Sequence, residues 1–223
     1  MTKDEILAWL QKNGSRRVAD GMARYGIATA DRVAGVSVGE LRTMAKRIGK
    51  DHELAGELWA SGWYEARMLA AFVAEPARLT GRQMNAWAAD FDNWATCDHA
   101  CFHLFDRTPL GWEAAVRWSK SPREFVKRAG FALMASLALH DKEAEDDRFL
   151  PFLSLIERGA TDERNFVKKG VSWALRSIGR RSQALSQAAV ELAKRLAASK
   201  EPAARWVGKD ALRDLRKARV RSK

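Results

Sequence analysis

An all-α fold follows from three features of the 223-residue chain. Helix starts and stops alternate along its whole length. No alternating Val/Ile/Thr run marks a strand, and only five prolines occur. Similar segments recur at intervals near 40 residues, with two helices to each interval. These features predict about a dozen helices of roughly 10–18 residues joined by short turns. Stacked as paired antiparallel helices they make an α-solenoid of HEAT- or armadillo-like repeats; the alternative is a globular all-α bundle.

The helix boundaries are marked residue by residue. Thr2 with Glu5, Ser37 with Glu40, Thr80 with Gln83 and Ser121 with Glu124 have the capping-box spacing, in which hydroxyl and acid or amide satisfy each other's backbone donors. Pro109 after Thr108 and Pro122 after Ser121 fit the first helical position, where a missing N–H costs nothing. Gly14, Gly26, Gly49, Gly62, Gly159 and Gly179 fall where helices should stop.

Phe125-Val126-Lys127-Arg128 recurs 41 residues later as Phe166-Val167-Lys168-Lys169, and each copy leads into an apolar run, Phe131 to Leu139 and Val171 to Ile178. Ala174-Leu175-Arg176 is echoed 37 residues on by Ala211-Leu212-Arg213. In a repeat array each unit buries its face against its neighbours, and the inner helices line a concave surface. The Phe125 and Phe166 helices are expected to be inner helices, because their basic residues have little reason to face a dry core. The chain therefore reads as one repeat domain, 1–223, with a basic tail from about residue 218.

The formal net charge is +11. Residues 1–110 hold 14 Lys/Arg and 14 Asp/Glu, whereas residues 111–223 hold 25 and 14, so the whole excess lies in the second half. A concave groove in that half would be basic, and a polyanion, nucleic acid first, is the expected partner. A merely solvated basic surface is the alternative. No apolar run approaches the length of a membrane span, and Met1 to Glu5 lack the layout of a signal peptide. With Cys97 and Cys101 as the only cysteines, a reduced, cytoplasmic protein is expected.

Trp94 and Asp98 stand four apart, which on a helix places an indole and a carboxylate one turn from each other. A carboxylate within a helix has no backbone N–H to cap, so it needs water, a cation or a ligand. Either Trp94 packs in a core and Asp98 pairs with an arginine, or the two hold a cationic ligand against the indole face. Trp173, one turn after Lys169, reads as a core indole or a second wall of that site. Arg128, aligned with Lys169 in the repeat, reads as a surface cation or an anion ligand. Cys97, His99, Cys101 and His103 suggest zinc only superficially: on one helix His99 points away from the cysteines, and paired CxxC units are absent. No metal or cofactor is expected, and nothing in the sequence signals an oligomer, so a monomer is.

In Met22-Ala23-Arg24-Tyr25-Gly26-Ile27, Glu57-Leu58-Trp59, Glu65-Ala66-Arg67 and three further motifs, the sequence resembles the alkylpurine DNA glycosylases of the AlkD type, built of HEAT-like repeats. The family's Trp-x-x-x-Asp pair matches Trp94 and Asp98. Its arginine matches Arg128 in Phe125-Val126-Lys127-Arg128-Ala129, and its second tryptophan matches Trp173 in the helix from Phe166 to Arg176. One departure is Ala95, where family members often carry an acid.

The resemblance implies an enzyme that excises cationic N3- or N7-alkylated purines from double-stranded DNA by hydrolysing the N-glycosidic bond. Such a base leaves neutral, so no general acid is needed, and the remaining barrier is the oxocarbenium-like sugar and the entry of water. Asp98 would stabilise that cation and orient the water, and Trp94 and Trp173 would flank the sugar. Arg128 would hold a phosphate, with Lys168, Lys169 and Arg176 as further DNA contacts. No lysine stands beside Asp98, so a monofunctional glycosylase leaving an abasic site is expected rather than a lyase. A nonenzymatic HEAT-repeat protein that binds damaged or branched DNA is the alternative.

Overall fold

The computed structural model describes residues 1–217, so the tail expected from about 218 lies outside the described residues. These hold thirteen α-helices: α1 (Lys3–Asn13), α2 (Arg16–Gly21), α3 (Val38–Ile48), α4 (His52–Trp59), α5 (Tyr64–Val73), α6 (Gly81–Ala89), α7 (Trp94–His103), α8 (Gly111–Trp118), α9 (Glu124–His140), α10 (Leu150–Gly159), α11 (Asn165–Gly179), α12 (Gln183–Ala197) and α13 (Pro202–Leu215). Among them is no strand; Arg32 and Trp63 form an isolated bridge. Several helices are shorter than expected, α2 with 6 residues and α4 and α8 with 8.

Capping follows the sequence at three of the four marked sites. Thr2/Glu5 and Ser37/Glu40 form complete capping boxes. Thr80 accepts from the Gln83 N–H, but the Gln83 amide is drawn instead to His52, 2.9 Å away. Ser121 does not cap: its hydroxyl accepts from the Arg123 N–H in a local turn, and α9 begins only at Glu124, beyond Pro122. Pro109 likewise precedes its helix, because the Thr108 hydroxyl donates back to the Phe105 carbonyl and α8 starts at Gly111.

The chain divides into two compact units, Met1–Thr108 and Pro109–Lys223. In the first, α5 packs against α3, α4, α7 and α1. Glu65 on α5 is buried, and its carboxylate accepts from the N–H groups of Ala34, Gly35 and Val36, which ties the loop before α3 to the core. Trp59 and Trp87 stack at 4.2 Å beside Phe91 and Phe105. In the second unit α8 packs on α9, α10 on α11 and α12 on α13, while α11 touches both α9 and α13. The repeat register is visible in the packing: Phe125 and its counterpart Phe166 lie 5.4 Å apart across α9 and α11. Phe131, Phe149, Phe152 and Ile156 form the interior of this unit.

Candidate active site

Asn93 starts α7 by accepting, through Oδ1, from the N–H groups of Ala95 and Thr96 at 3.0 Å each. Trp94 is thus the first helical residue, and Asp98 and Phe102 follow on the same face at one-turn intervals. All three are half-buried, whereas Ala95, Thr96, Cys97, His99, Ala100 and Cys101 are buried. The Trp94 indole N–H donates to the Tyr25 carbonyl at 3.0 Å, and Tyr25 is 74% exposed. Trp94 is therefore a fixed, partly open indole rather than a core residue.

The same loop is held at a second point. Asp92 accepts from the Thr29 hydroxyl at 2.8 Å and the Ala30 N–H at 2.7 Å, while its other oxygen accepts from Asn93. Asp31 pairs with Arg67 at 3.0 Å, and Arg67 also donates to the Asp90 carbonyl. The contacts of Asp92, Thr29 and Tyr25 escaped the sequence reading. They span more than 60 residues, and no local pattern encodes such a distance.

His99 turns into the unit, with Nε2 3.0 Å from the Met68 carbonyl and its ring edge-on to Phe72. Burial, then the neighbouring His103, pushes its pKa down to about 3, so the ring is neutral. Cys97 and Cys101 are buried free thiols, and burial pushes the Cys101 thiol well up. Among the described residues no group of three or more His, Cys, Asp and Glu side chains is placed to hold a metal ion.

In the second unit, Phe166, Lys169, Trp173 and Arg176 form the outer stripe of α11, continued by Arg180 just past its end, opposite the buried Val167, Val171, Ala174 and Ile178. Trp173 is half-buried between Lys169, which is exposed, and Arg176. Arg176 lies 3.5 Å from the Asp214 carboxylate and 3.8 Å from that of Asp210. Lys168 sits 5.0 Å over the Trp206 ring. Arg128 is not a surface cation: it is 6% exposed, and its Nη1 donates to the Phe166 carbonyl at 2.6 Å. Nearby, Lys127 and Arg164 both engage Asp162, and hydrogen bonds from Arg164 hold that carboxyl well below the usual carboxylate range.

The structure thus brings Trp94 and Asp98 together on α7. It brings Arg128, Lys168, Lys169, Trp173 and Arg176 together on α9 and α11. The two sets belong to different units.

A repeat-built helical protein with a half-open Trp/Asp pair and a basic, indole-bearing helix face belongs to the class of HEAT-like repeat folds. Residues 6–215 match the model of the family described as "DNA alkylation repair enzyme", and the chain belongs to that family. The fold is similar to a solved structure described as "A new family of proteins related to the HEAT-like repeat DNA glycosylases with affinity for branched DNA structures". That similarity has a TM-score of 0.80 at 20% identity and covers 100% of this chain and 99% of that one. No curated protein matches the sequence.

Proposed function

We propose that the protein is a monofunctional DNA glycosylase that removes cationic N3- or N7-alkylated purines from duplex DNA. The observation that carries this reading is the half-buried Trp94–Asp98 pair, fixed on α7 by Asn93 and by the Tyr25 carbonyl, in a chain of the DNA alkylation repair family. An alkylated purine already bears the positive charge that other glycosylases must create by protonation, so bond breaking needs stabilisation at the sugar rather than acid at the base. The Asp98 carboxylate faces the developing oxocarbenium ion and orients the water that completes hydrolysis to an abasic site. The Trp94 face, electron-rich and held in one orientation, attracts the cationic base and the sugar C–H groups, which stabilises by roughly 0.5–2 kcal/mol.

Trp173 offers the DNA a second indole, flanked by Lys169. Among the basic candidates, exposed Lys169 and Lys168 on the Trp206 ring are suited to phosphates, whereas Arg176 is shared with Asp210 and Asp214. Arg128 ties α9 to α11 through the Phe166 carbonyl and, in this reading, adds its positive charge to the phosphate-binding face of the second unit. The protein works as a cytoplasmic monomer on nucleoid DNA, without metal or cofactor.

The test is release of methylated purines from alkylated duplex DNA. Asp98→Asn keeps the shape but removes the charge. It should lower single-turnover release on the order of 100- to 1,000-fold while leaving DNA affinity within a few-fold. Release at the parental rate would return Asp98 to a structural role. A second reading has its own support in the branched-DNA affinity described for the similar solved structure. If no base is released and a four-way junction binds more tightly than a linear duplex, the protein is a nonenzymatic DNA-structure binder.

A further inference from the structure

α13, the last of the described helices, carries a charged face where the repeat pattern calls for a dry one. The 37-residue register that aligns Ala174-Leu175-Arg176 with Ala211-Leu212-Arg213 also aligns Ser172 with Lys209, Leu175 with Leu212 and Gly179 with Arg216. On α11, Ser172, Leu175 and Gly179 are buried. Ser172 donates to Asp210 of α13 at 2.7 Å, and a Cβ on Gly179 would meet Leu215 of α13 at 2.8 Å. This is the side by which one repeat packs on the next. One register further back, α9 buries Phe131, Met134 and Ala138 at the same positions.

On α13 that side has no described helix to receive it, and it is cationic. A depression of about 460 Å³ is lined by Lys209, Leu212, Arg213, Arg216 and Lys217. An uncovered repeat face needs polar residues to stay soluble, but a mixed face serves that purpose. Here no acid lines the depression: Asp214 meets Arg176 and Arg180, and Asp210 meets Ser172, Arg176 and, of the lining cations, Arg213. Lys209, Arg216 and Lys217 are exposed beside a single half-buried apolar side chain, Leu212.

We infer that this end face of α13 is a further nucleic-acid backbone site, separate from the α11 stripe, with Lys209 and Arg216 at its centre. Lys209 to Lys217 spans about 12 Å of helix, a length over which duplex DNA presents about seven phosphates. A lipid surface fits poorly, because insertion needs a bulky apolar face beside the cations, whereas the exposed Trp206 ring of α13 already carries Lys168 and half-buried Leu212 is the one apolar side chain of the depression. The inference extends the DNA-binding part of the proposed function and does not depend on base excision.

The test is a salt titration of binding to an undamaged 30-base-pair duplex. Lys209→Gln/Arg216→Gln is compared with the full chain and with Lys12→Gln/Lys46→Gln, which removes the same charge from exposed lysines of the first unit. Two lost phosphate contacts should make the slope of log K against log salt shallower by about 1.8. The Lys12/Lys46 variant should keep the parental slope. An unchanged slope in the α13 variant, or an equal change in both variants, overturns the inference and leaves α13 as a solubility cap. Equally fatal is an unchanged DNA slope joined to lost binding of vesicles containing phosphatidylserine, which would assign the face to lipid. A shallower slope in a protein that releases no methylated base would sustain this site while removing the glycosylase reading.

Discussion

His99 shows how one buried side chain sets a pH limit on the helix that carries Trp94 and Asp98. Its folded pKa lies near 3 against an ordinary value of 6.5, so between these pH values the unfolded chain binds a proton that the folded chain refuses. Stability attributable to His99 is therefore complete above pH 6.5 and is lost as the pH falls below it. The loss should reach about 2 kcal/mol by pH 5. Urea melts of the parent and of His99→Gln at pH 5 and 7.5 measure this, and the variant should show the smaller difference. Trp94 supplies a contrasting case at the same scale. Trp94→Phe keeps an aromatic face but loses the bond to the Tyr25 carbonyl, so it should cost roughly 0.5–1.5 kcal/mol of stability. Base release should fall further than that loss explains, because the ring is no longer held in one orientation. A half-buried Trp173 surrenders less packing than a core ring, so Trp173→Ala should fall short of the roughly 3–5 kcal/mol expected for Phe131→Ala.

Between elements, the second unit is set by two glycines at the same place in the repeat. Gly130 on α9 and Gly208 on α13 occupy aligned positions, two registers apart. A Cβ at either would collide with backbone, at Ser119 after α8 and at Ala197 on α12 respectively. Each lets the second helix of a pair cross close to the end of the first. Gly130→Ala should lower the melting temperature despite alanine's better helix propensity, whereas Gly56→Ala, where nothing lies within 4 Å, should leave it the same or raise it. The sequence carried the repeat, because the Phe125 and Phe166 segments keep their spacing and meet in space. It also carried the Trp94–Asp98 face, because helical periodicity is local. It misled at Ser121 and Pro122, where a short hydroxyl turn outcompeted the cap. It was silent on the contacts of Asp92, Thr29 and Tyr25, since nothing local reports contacts across 60 residues.

Across the whole chain the dominant quantity is the +11 charge, concentrated after residue 110. Among the described residues no helix is long and apolar enough to cross a membrane. Binding to DNA should therefore be governed by counterion release, with affinity falling steeply as salt rises. The structure divides the basic candidates by what already holds them. Lys168→Glu/Lys169→Glu alters one exposed amine and one resting on Trp206, so it should make the salt slope shallower by about 1.8 or more without unfolding the chain. Arg176→Glu puts a third carboxylate beside Asp210 and Asp214. That variant should lower the melting temperature by a few degrees as well as weaken binding. Salt titrations run beside thermal melts separate the two effects. A slope that no substitution on α11 alters would mean that the excess charge keeps the protein soluble and that DNA is held by other groups.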